Sequence, residues 1–402
     1  MTDNKRLKGR VLSGMRPTGK LHLGNYVGAL RNWVNLQDEY DCFFFIADWH
    51  ALTTDYADTR SVKQNSLEVI LDYLAAGLDP EKSTLFIQSH VPQHAELHLL
   101  FSMITPLGWL ERVPSYKEQK ENLKDKDLST YGFLGYPLLQ SADILLYTPS
   151  PQLPLSERKL FVPVGEDQVP HVELTREVAR RFNFFYPRNY RAPVQFTRAE
   201  EFRKEVPEQI ADPLLQNAAA GIYRKPAVFD EEVVFSEPQP LLTPAAKLPG
   251  TDGRKMSKSY GNTILLSEPE KSLRQKLKTM VTDPARIRRS DPGDPDKCPV
   301  GDLHKIFSSK ETMAKVYDGC RSAGIGCIEC KGWAADGLWN VLAPIQERRQ
   351  KYESDPRLAW DVLEAGSRKA RAVAERTMVE AREAANLSHQ YEPPAQTAGE
   401  GK

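Results

Sequence analysis

Residues 9–25 of the 402-residue chain place glycines and hydrogen-bonding side chains in the pattern of a phosphate-binding turn. A short apolar run, a segment broken by glycines and a proline, and an amphipathic stretch follow one another, which predicts strand, tight loop and helix. Gly24 would let a ligand approach the backbone at the helix start, where free amides and the helix dipole attract an anion. His22 and Asn25 add two side-chain donors. An ordinary βα turn is the alternative for this motif alone.

Residues 251–262 carry two lysines, Lys255 and Lys258, in a segment rich in glycine and serine. This segment is too polar to belong to a core. Ammonium groups on flexible stems can follow a phosphate whose charge moves during a reaction. Taken alone, such a loop is usually only a solvated basic loop.

The two motifs together carry a family resemblance. His22 to Asn25, followed by Lys255 to Ser259, resemble the signature pair of class I aminoacyl-tRNA synthetases. The resemblance narrows to the tryptophanyl-tRNA synthetases, because residues 13–30 resemble that family's SGxxPTGxLHLGNYxGAL and residues 242–259 its LTPxxKxPGTDGRKMSKS. Further similar stretches lie at residues 136–137, 142–145, 165–168 and 171–176. The similarity covers roughly residues 9–385 in the family's order.

The resemblance implies activation of tryptophan by ATP with Mg²⁺, followed by transfer to tRNA(Trp). The residues that it implies in catalysis are Lys255, Lys258, His22 and Asn25. Those implied in ATP binding are Arg16, Thr18, Gly24, Asn25, Gly165, Asp167, Lys255, Met256, Ser257 and Lys258. Those implied in tryptophan binding are His50, Tyr136, Gln140, Asp143, Val162, Val164 and Gln168. Two of them depart from many relatives, since Gln140 stands in place of Met and Arg16 in place of Gln.

Asp143 is the residue that we expect to set the choice of amino acid. It lies in Ser141 to Leu146, a strongly apolar helical stretch in which an unpaired carboxylate would be costly. An indole N–H only donates, so it would satisfy such a carboxylate. The alternative is a structural carboxylate that is salt-bridged or caps a helix. For Val162 and Val164 the alternative to a pocket wall is plain core.

Four of the five cysteines are clustered late in the chain. Cys298, Cys320, Cys327 and Cys330 follow the spacing C-x21-C-x6-C-x2-C, which suits either tetrahedral zinc or a [4Fe–4S] cluster. A subset of the tryptophanyl-tRNA synthetases carries a [4Fe–4S] cluster on a similar spacing, so the resemblance favours iron–sulfur over Zn²⁺. The remaining alternative is four free thiols.

Seven basic residues and one acidic residue, Asp283, occur between residues 271 and 289. The basic residues are Lys271, Arg274, Lys276, Lys278, Arg286, Arg288 and Arg289. The run is a candidate for an RNA-facing patch, although a solvated helix face is the ordinary explanation.

The elements that must position these residues alternate between strands and helices. Apolar runs at residues 42–47, 83–87 and 160–164 predict buried parallel strands, and helical spacing over residues 59–78 ends at Gly77. We therefore expect an α/β fold with a doubly wound parallel sheet, Rossmann-like and of HUP type, whose ligand crevice lies at the carboxyl ends of the strands. Residues 187–250 are expected to be irregular, with short helices.

Length and composition bound the organisation. The length allows two or three domains. The resemblance implies a catalytic domain over residues 1–267 and a mainly helical anticodon-binding domain over 268–387, and the polar residues 388–402 are expected to form a disordered tail. Lys plus Arg equal Asp plus Glu at 54 each, so an RNA partner must meet a local patch. The chain lacks a signal-like segment and any run of about 18 apolar residues, and its few cysteines are no disulfide framework, which predicts a soluble cytoplasmic protein with no membrane partner.

Two expectations concern assembly and the alternatives. Family relatives are homodimers, and the interface is expected among the helices of residues 59–146. The alternative functions are a tyrosyl-tRNA synthetase, which shares the fold, and a noncatalytic tRNA-binding paralogue. Gly165 to Gln168 and the ELTR continuation argue against the first, and retention of both signature motifs argues against the second.

Overall fold

The computed structural model describes residues 7–122, 127–150, 153, 155–187, 194–196, 223–225, 233–243 and 248–387. The predicted tail over residues 388–402 lies outside the described residues. No helix in the described part of the chain is both long and apolar enough to span a bilayer.

A five-stranded parallel sheet forms the centre of the molecule. Its strands are β1 (Arg10–Met15), β2 (Asp41–Ile46), β3 (Ser83–Ile87), β4 (Leu160–Val164) and β7 (Gln239–Leu242). They lie in the order β3-β2-β1-β4-β7. Two short strands, β5 (Val194–Phe196) and β6 (Tyr223–Lys225), form a separate antiparallel pair. The Rossmann-like sheet predicted from the alternation of strands and helices is therefore confirmed.

Helices cover the sheet and continue beyond it. Up to β7 they are α1 (Leu23–Asn25, Tyr26–Leu30 and Arg31–Leu36 in one run), α2 (Asp48–Asp55), α3 (Val62–Ala76), α4 (Gln93–Ser102), α5 (Leu107–Glu111), α6 (Pro114–Asn122), α7 (Tyr131–Leu145) and α8 (Val169–Phe185). After β7 they are α9 (Glu270–Thr279), α10 (Pro299–Phe307), α11 (Lys310–Arg321), α12 (Cys327–Ser354) and α13 (Pro356–Ala384). A helical C-terminal region is thus confirmed.

Local chemistry explains where some of these helices change or end. Helix α3 stops at Gly77, whose φ of 112° is a left-handed conformation that suits glycine. The middle of α1, Tyr26–Leu30, is a π-helical turn, a feature that is frequent at functional sites. The sequence pattern predicted this helix but carried no signal for its π turn.

The sheet opens between β1 and β4. These strands pair only at Arg10 with Leu160 and Val11 with Phe161, so their carboxyl-terminal halves diverge. The strand order also reverses direction here, since β2 and β3 lie on one side of β1 and β4 and β7 lie on the other. A doubly wound sheet binds ligands at such a switch point.

The last helix returns to the sheet. Gly366 of α13 lies so close to β3 that an added Cβ would stand 1.8 Å from the carbonyl oxygen of Leu85. The buried residues Leu363 and Met378 of the same helix belong to the two apolar cores that also contain the sheet residues. The domain boundaries at residues 267 and 387 remain predictions.

The expectation of an irregular segment over residues 187–250 was wrong for three short stretches. β5, β6 and the edge strand β7 all lie within it. Strand β7 contains Pro240, which has no N–H to donate and is therefore tolerated only at a sheet edge or bulge. With exposed residues at both ends, β7 lacks the apolar run by which the buried strands were recognised.

Candidate active site

A cavity of about 420 Å³ lies at the carboxyl ends of β1 and β4. This volume is within the range of small-molecule sites. All seven residues predicted to bind tryptophan line it, together with two of those predicted to bind ATP: His50, Tyr136, Gln140, Asp143, Val162, Val164, Gln168, Arg16 and Gly165. Gly28 and Ala29 of the π turn form part of the opposite wall. Val162 and Val164 are buried and still face the cavity, so they serve as core and wall at once.

The carboxylate of Asp143 is fixed at the cavity wall by three donors from different elements. Its Oδ1 accepts from the Gln88 side-chain amide at 2.7 Å and from Nδ1 of His94 at 2.6 Å. Its Oδ2 accepts from Nε2 of His50 at 2.7 Å. Because an ionised carboxylate only accepts, the proton of each ring nitrogen must point at Asp143.

This environment keeps Asp143 ionised. Burial alone would raise its pKa, since the residue is 1% exposed. The charge and hydrogen bond of His50, with those of His94, outweigh burial and hold the pKa of Asp143 below its ordinary range. The cavity therefore presents an ionised, hydrogen-bonded carboxylate to a ligand near neutral pH.

Tyr136 is held from behind by a second chain of hydrogen bonds. Its hydroxyl lies 2.7 Å from Oγ of Ser115, which lies 2.5 Å from Nε2 of His171. Burial, reinforced by the charge of His50, lowers the pKa of His171 to about 4, so this ring is neutral near pH 7. This series of hydrogen bonds orients the Tyr136 phenol toward the cavity.

Most of the other residues predicted to bind ATP form a second group around His22. The backbone N–H of His22 donates to Oδ1 of Asn25 at 3.1 Å, which closes the turn at the start of α1. An added Cβ at Gly24 would lie 2.9 Å from the His22 ring, so only glycine leaves that ring in place. Burial, with a smaller effect of the Lys258 charge, lowers the pKa of His22 to about 4. His22 is therefore a neutral hydrogen-bonding group near pH 7, and its Nδ1 is buried without a partner among the described residues.

The lysine loop is in direct contact with this turn. Nζ of Lys258 donates to the carbonyl oxygen of Thr18 at 2.9 Å, while Lys255 is exposed. Met256 is buried, and its Cβ would lie 3.7 Å from a Cβ added at Gly24. After the loop, the chain pairs in antiparallel fashion with the His22 segment at Leu265. The two signature motifs therefore form one structural unit.

Asn262 holds the loop in shape. Its side chain accepts from the backbone N–H of Ser257 at 2.8 Å and donates to Asp252 at 2.7 Å and to the Lys255 carbonyl at 3.1 Å. The residue is 1% exposed. The sequence analysis did not single out Asn262, although it lies only three residues after Ser259, at which the second signature motif ends.

A short turn links the first group to strand β4. Gly165 lines the cavity directly after β4, and an added Cβ there would stand 2.8 Å from Oδ1 of Asp167. The Gln168 amide donates to Oδ2 of Asp167 at 3.0 Å. Gln168 thus faces the cavity, whereas Asp167 does not line it.

The four late cysteines lie near one another at the ends of three helices. Cys298 precedes α10, Cys320 lies in the last turn of α11, and Cys327 and Cys330 begin α12. Burial, followed by the charges of the other three, raises the pKa of Cys330 to about 12. Within the described ranges, no three His, Cys, Asp or Glu side chains form a group that could hold a single metal ion.

Arg286 reaches this cysteine group. Its Nη1 lies 3.7 Å from Sγ of Cys320, and Nη2 donates to the carbonyls of Arg289 and Ile325. Its Nε is buried and has no hydrogen-bond partner in the described part of the chain. An added Cβ at Gly293 would stand 2.8 Å from Sγ of Cys320, so glycine gives that thiol its room.

The basic run divides into inward and outward residues. Lys276 pairs with buried Glu268 at 2.6 Å, Arg274 pairs with Glu270 and Asp336, and Arg286 is buried beside the cysteines. The outward residues are Lys271, Lys278, Arg288 and Arg289, all of which are exposed. Arg274 is exposed as well, so five of the seven predicted cations face solvent, and Arg274 is the one of these five that is held in ion pairs with Glu270 and Asp336.

Gln88 and His94 were not predicted, although they hold the central carboxylate. A signal existed for Gln88, because it directly follows a predicted buried strand and so must stand at the crevice edge. His94 is completely buried on α4, one helix further along the chain. The only signal for His94 was that a buried Asp143 requires hydrogen-bond partners, and this requirement does not identify the residue that supplies them.

Comparison with known proteins identifies the family. Residues 4–343 match the family of class I tRNA synthetases for W and Y. The chain is 53% identical over 405 residues to the tryptophan–tRNA ligase of Ralstonia nicotianae and 49% identical over 380 residues to that of Thermotoga maritima, in both cases covering 94% of this chain and 99% of the relative. A structure of tryptophanyl-tRNA synthetase from Campylobacter jejuni complexed with ADP and tryptophan aligns with a TM-score of 0.72 at 30% identity, over 94% of this chain and 100% of that one. The chain therefore belongs to the class I tRNA synthetases for tryptophan and tyrosine, and within them to the tryptophan–tRNA ligases.

Proposed function

We propose that this chain activates L-tryptophan with ATP and then transfers the tryptophanyl group to tRNA(Trp). The amino-acid carboxylate attacks the α-phosphate of ATP, pyrophosphate leaves, and the mixed anhydride remains bound for transfer to the 2′-hydroxyl of the terminal nucleotide. The observation that carries the proposal is Asp143, a carboxylate fixed by three hydrogen-bond donors on the wall of a cavity at the sheet's switch point. The signature motifs lie close by, because Lys258 donates to the Thr18 carbonyl and Thr18 is two residues beyond Arg16 of the cavity wall.

Asp143 is the group that selects tryptophan in this proposal. Three donors occupy its two oxygens, and a carboxylate has room for about four hydrogen bonds, so one acceptor position is free for an indole N–H. The tyrosine hydroxyl can also donate, but it lies at a different distance from the α-carbon. Selection therefore depends on where Asp143 is fixed as well as on its charge.

The opposite end of tryptophan would meet Tyr136 and Gln168. Both line the cavity, and both are oriented by neighbours, Tyr136 by Ser115 and Gln168 by Asp167. A phenol oxygen and an amide oxygen can accept from the ligand's ammonium group. This leaves the ligand's carboxylate directed toward Arg16 and the nucleotide.

The second group would handle the phosphates. His22, Gly24, Asn25 and Thr18 supply neutral donors and close backbone, and Lys255 and Lys258 supply charge. Burial lowers the pKa of Lys258, so a phosphate that replaces the Thr18 carbonyl as its partner would favour the charged ammonium. Mg²⁺ would accompany ATP and neutralise part of the same charge.

Pyrophosphate exchange separates this proposal from its alternatives. With the purified chain, ATP and labelled pyrophosphate, exchange is expected with tryptophan and not with tyrosine at equal concentration. Exchange with tyrosine would support a tyrosyl enzyme. An absence of exchange with either amino acid would support a noncatalytic tRNA-binding protein.

We further propose that Cys298, Cys320, Cys327 and Cys330 hold a [4Fe–4S] cluster, with Zn²⁺ as the alternative. The residue types suit such a cluster, and two observations support it: the charges of the other three thiols act on Cys330, and Arg286 brings a long N–H···S contact to Cys320 beside a buried Nε that has no partner in the described part of the chain. Such donors stabilise the negative charge of a thiolate cluster. When bound, the cluster would act as a structural staple for the starts of α10 and α12. Analysis of protein purified without oxygen should find about four iron and four sulfide per chain, whereas one zinc per chain would establish the alternative.

Two partner assignments complete the proposal. The four outward cations of residues 271–289 are candidates for contacts with tRNA phosphates, and two of them, Arg288 and Arg289, closely follow Arg286, which contacts Cys320. Leu99, Met103 and Leu107 are 55, 69 and 61% exposed on or beside α4 and α5, where a homodimer interface was expected. Sedimentation of the chain and of Leu99→Glu should give a dimer and a weakened dimer, respectively.

We expect the enzyme to work in the cytoplasm, where its thiols remain reduced.

A further inference from the structure

A buried carboxylate in α3 is hydrogen-bonded to the nucleotide motif. Asp72 is completely buried, and its Oδ2 accepts from the backbone N–H of Leu21 at 2.7 Å. Leu21 directly precedes His22, and its carbonyl oxygen accepts from the N–H of Leu266 at 2.9 Å after the lysine loop. Leu21 is therefore hydrogen-bonded on both sides: its N–H donates to Asp72, and its carbonyl oxygen accepts from the segment that follows the lysine loop.

The other oxygen of Asp72 pairs with an arginine from the C-terminal half. Arg349 of α12 is 1% exposed, and its guanidinium binds Asp72, Glu68 and Glu353. The Arg349 Nε lies 2.7 Å from Glu353, on the same helix. Every edge of the guanidinium fork is thus occupied, which fixes its position as well as its charge.

Helix α12 connects this pair to the cysteine group. It begins at Cys327 and runs without a break to Ser354, so Arg349 lies about 30 Å along the helix from the cysteines. The charge of Asp72 also acts on Lys258, in the sense that raises the pKa of that ammonium. Asp72 therefore accepts a hydrogen bond from the residue that precedes His22, and its charge also acts on Lys258 in the lysine loop.

We infer that Asp72 and Arg349 are positioning residues for the nucleotide site, which hold the Leu21–Asn25 turn in its binding geometry through the Leu21 N–H. This inference rests on the proposed ATP-dependent activation. Neither residue touches the cavity, and the tryptophan wall is fixed by Asp143 through separate elements. Loss of the pair should therefore weaken the handling of ATP and leave the recognition of tryptophan intact.

The test is pyrophosphate exchange by Arg349→Met, with KM for ATP and for tryptophan measured separately and rates normalised to titrated active sites. KM for ATP is expected to rise about tenfold, the effect of losing one hydrogen bond to a charged group, while KM for tryptophan changes less than about twofold. Asp72→Asn, which keeps an acceptor for Leu21 but loses the ion pair, should show the same split in smaller measure.

Arg382→Met is the matched control. Arg382 also joins a C-terminal helix to the sheet half, through Glu96 at 2.6 Å, but it has no contact with the nucleotide motif. It should lower thermal stability without changing either KM. Equal rises in both KM values, or an unchanged KM for ATP in Arg349→Met, would overturn the inference. If Arg349→Met does not fold, Arg349→Lys decides in the same way, since lysine keeps the charge and loses the fork. If the wild-type chain itself gives no exchange, the proposed function fails instead.

Discussion

At the scale of single residues, the active site depends on one charge whose burial is compensated by neighbours. Asp143→Asn keeps the shape of the side chain but turns one acceptor into an NH2 group that faces a donor, either His50 or the Gln88 and His94 pair. The variant also loses the charged acceptor for the indole N–H, a bond worth about 2–3 kcal/mol, which predicts a loss of about 30–150-fold in kcat/KM for tryptophan. Pyrophosphate exchange measures it.

The same variant separates selection from general damage. KM for ATP should remain near its wild-type value, because the nucleotide groups share no hydrogen bond with Asp143. Binding of tyrosine or phenylalanine should not weaken, since neither presents an indole N–H. A loss that is equal for ATP and tryptophan would contradict the assignment of Asp143 as the selecting residue.

Two buried histidines make stability depend on pH. His22 and His171 both have a pKa lowered to about 4, in each case chiefly by burial. Between pH 6.5 and 4 the unfolded chain binds protons at these sites that the folded chain does not, so stability is complete near pH 7 and falls with acidification. From pH 7 to pH 5 each ring should cost about 2 kcal/mol. Urea unfolding at both pH values measures this loss.

The double variant His22→Gln, His171→Gln provides the comparison for that measurement. It is expected to start less stable at pH 7, because glutamine fits neither site well. Its further loss between pH 7 and pH 5 should nevertheless be smaller than that of the wild type by about 4 kcal/mol, since two rings are removed. Parallel losses in the two proteins would show that these rings do not carry the acid sensitivity.

At the scale of elements, prediction from the sequence succeeded where burial was continuous. β2, β3 and β4 are buried along almost their whole length and each contains an apolar run, and α3 ends at a glycine, so local rules were enough. Strand β7 was not predicted, because an edge strand needs neither an apolar run nor a hydrogen bond from every N–H. The π turn in α1 was not predicted, because its residues differ little from those of an ordinary helix. The seven residues predicted to bind tryptophan were taken from the family resemblance; they line one cavity, and their roles remain predictions.

The contact of α13 with β3 gives a prediction at the same scale. Gly366→Ala would place a methyl group 1.8 Å from the carbonyl oxygen of Leu85, so the helix must move away from the strand. The cost should be about 2–3 kcal/mol, which thermal unfolding would show as a lower Tm. Gly332→Ala in α12 is the matched control, because nothing lies within 4 Å of its added Cβ. That change should raise stability by about 0.5–1 kcal/mol through helix propensity.

At the scale of the whole molecule, the halves are joined by pairs that no local pattern could reveal. Arg349 meets Asp72 across 277 residues, and Arg382 meets Glu96 across 286. Each is an ordinary arginine on a charged helix when its sequence alone is considered. The cysteine spacing was visible in the sequence because three of the four cysteines lie within eleven residues, whereas the nearby Arg286 was visible only as one cation in a basic run.

The cysteine group gives the last prediction, in which the fifth cysteine is the control. Cys330→Ala removes one of four ligands at the start of α12, so iron and sulfide should fall to near zero and the C-terminal helices should unfold at lower temperature. Cys42→Ala changes a thiol that is buried in β2, where burial raises its pKa to about 12, and it should keep the full metal content. Because the cavity is built from other elements, tryptophan-dependent pyrophosphate exchange at low temperature should survive in Cys330→Ala while charging of tRNA(Trp) falls. Full metal content in Cys330→Ala, or equal loss in Cys42→Ala, would show that the four thiols are not the ligand set.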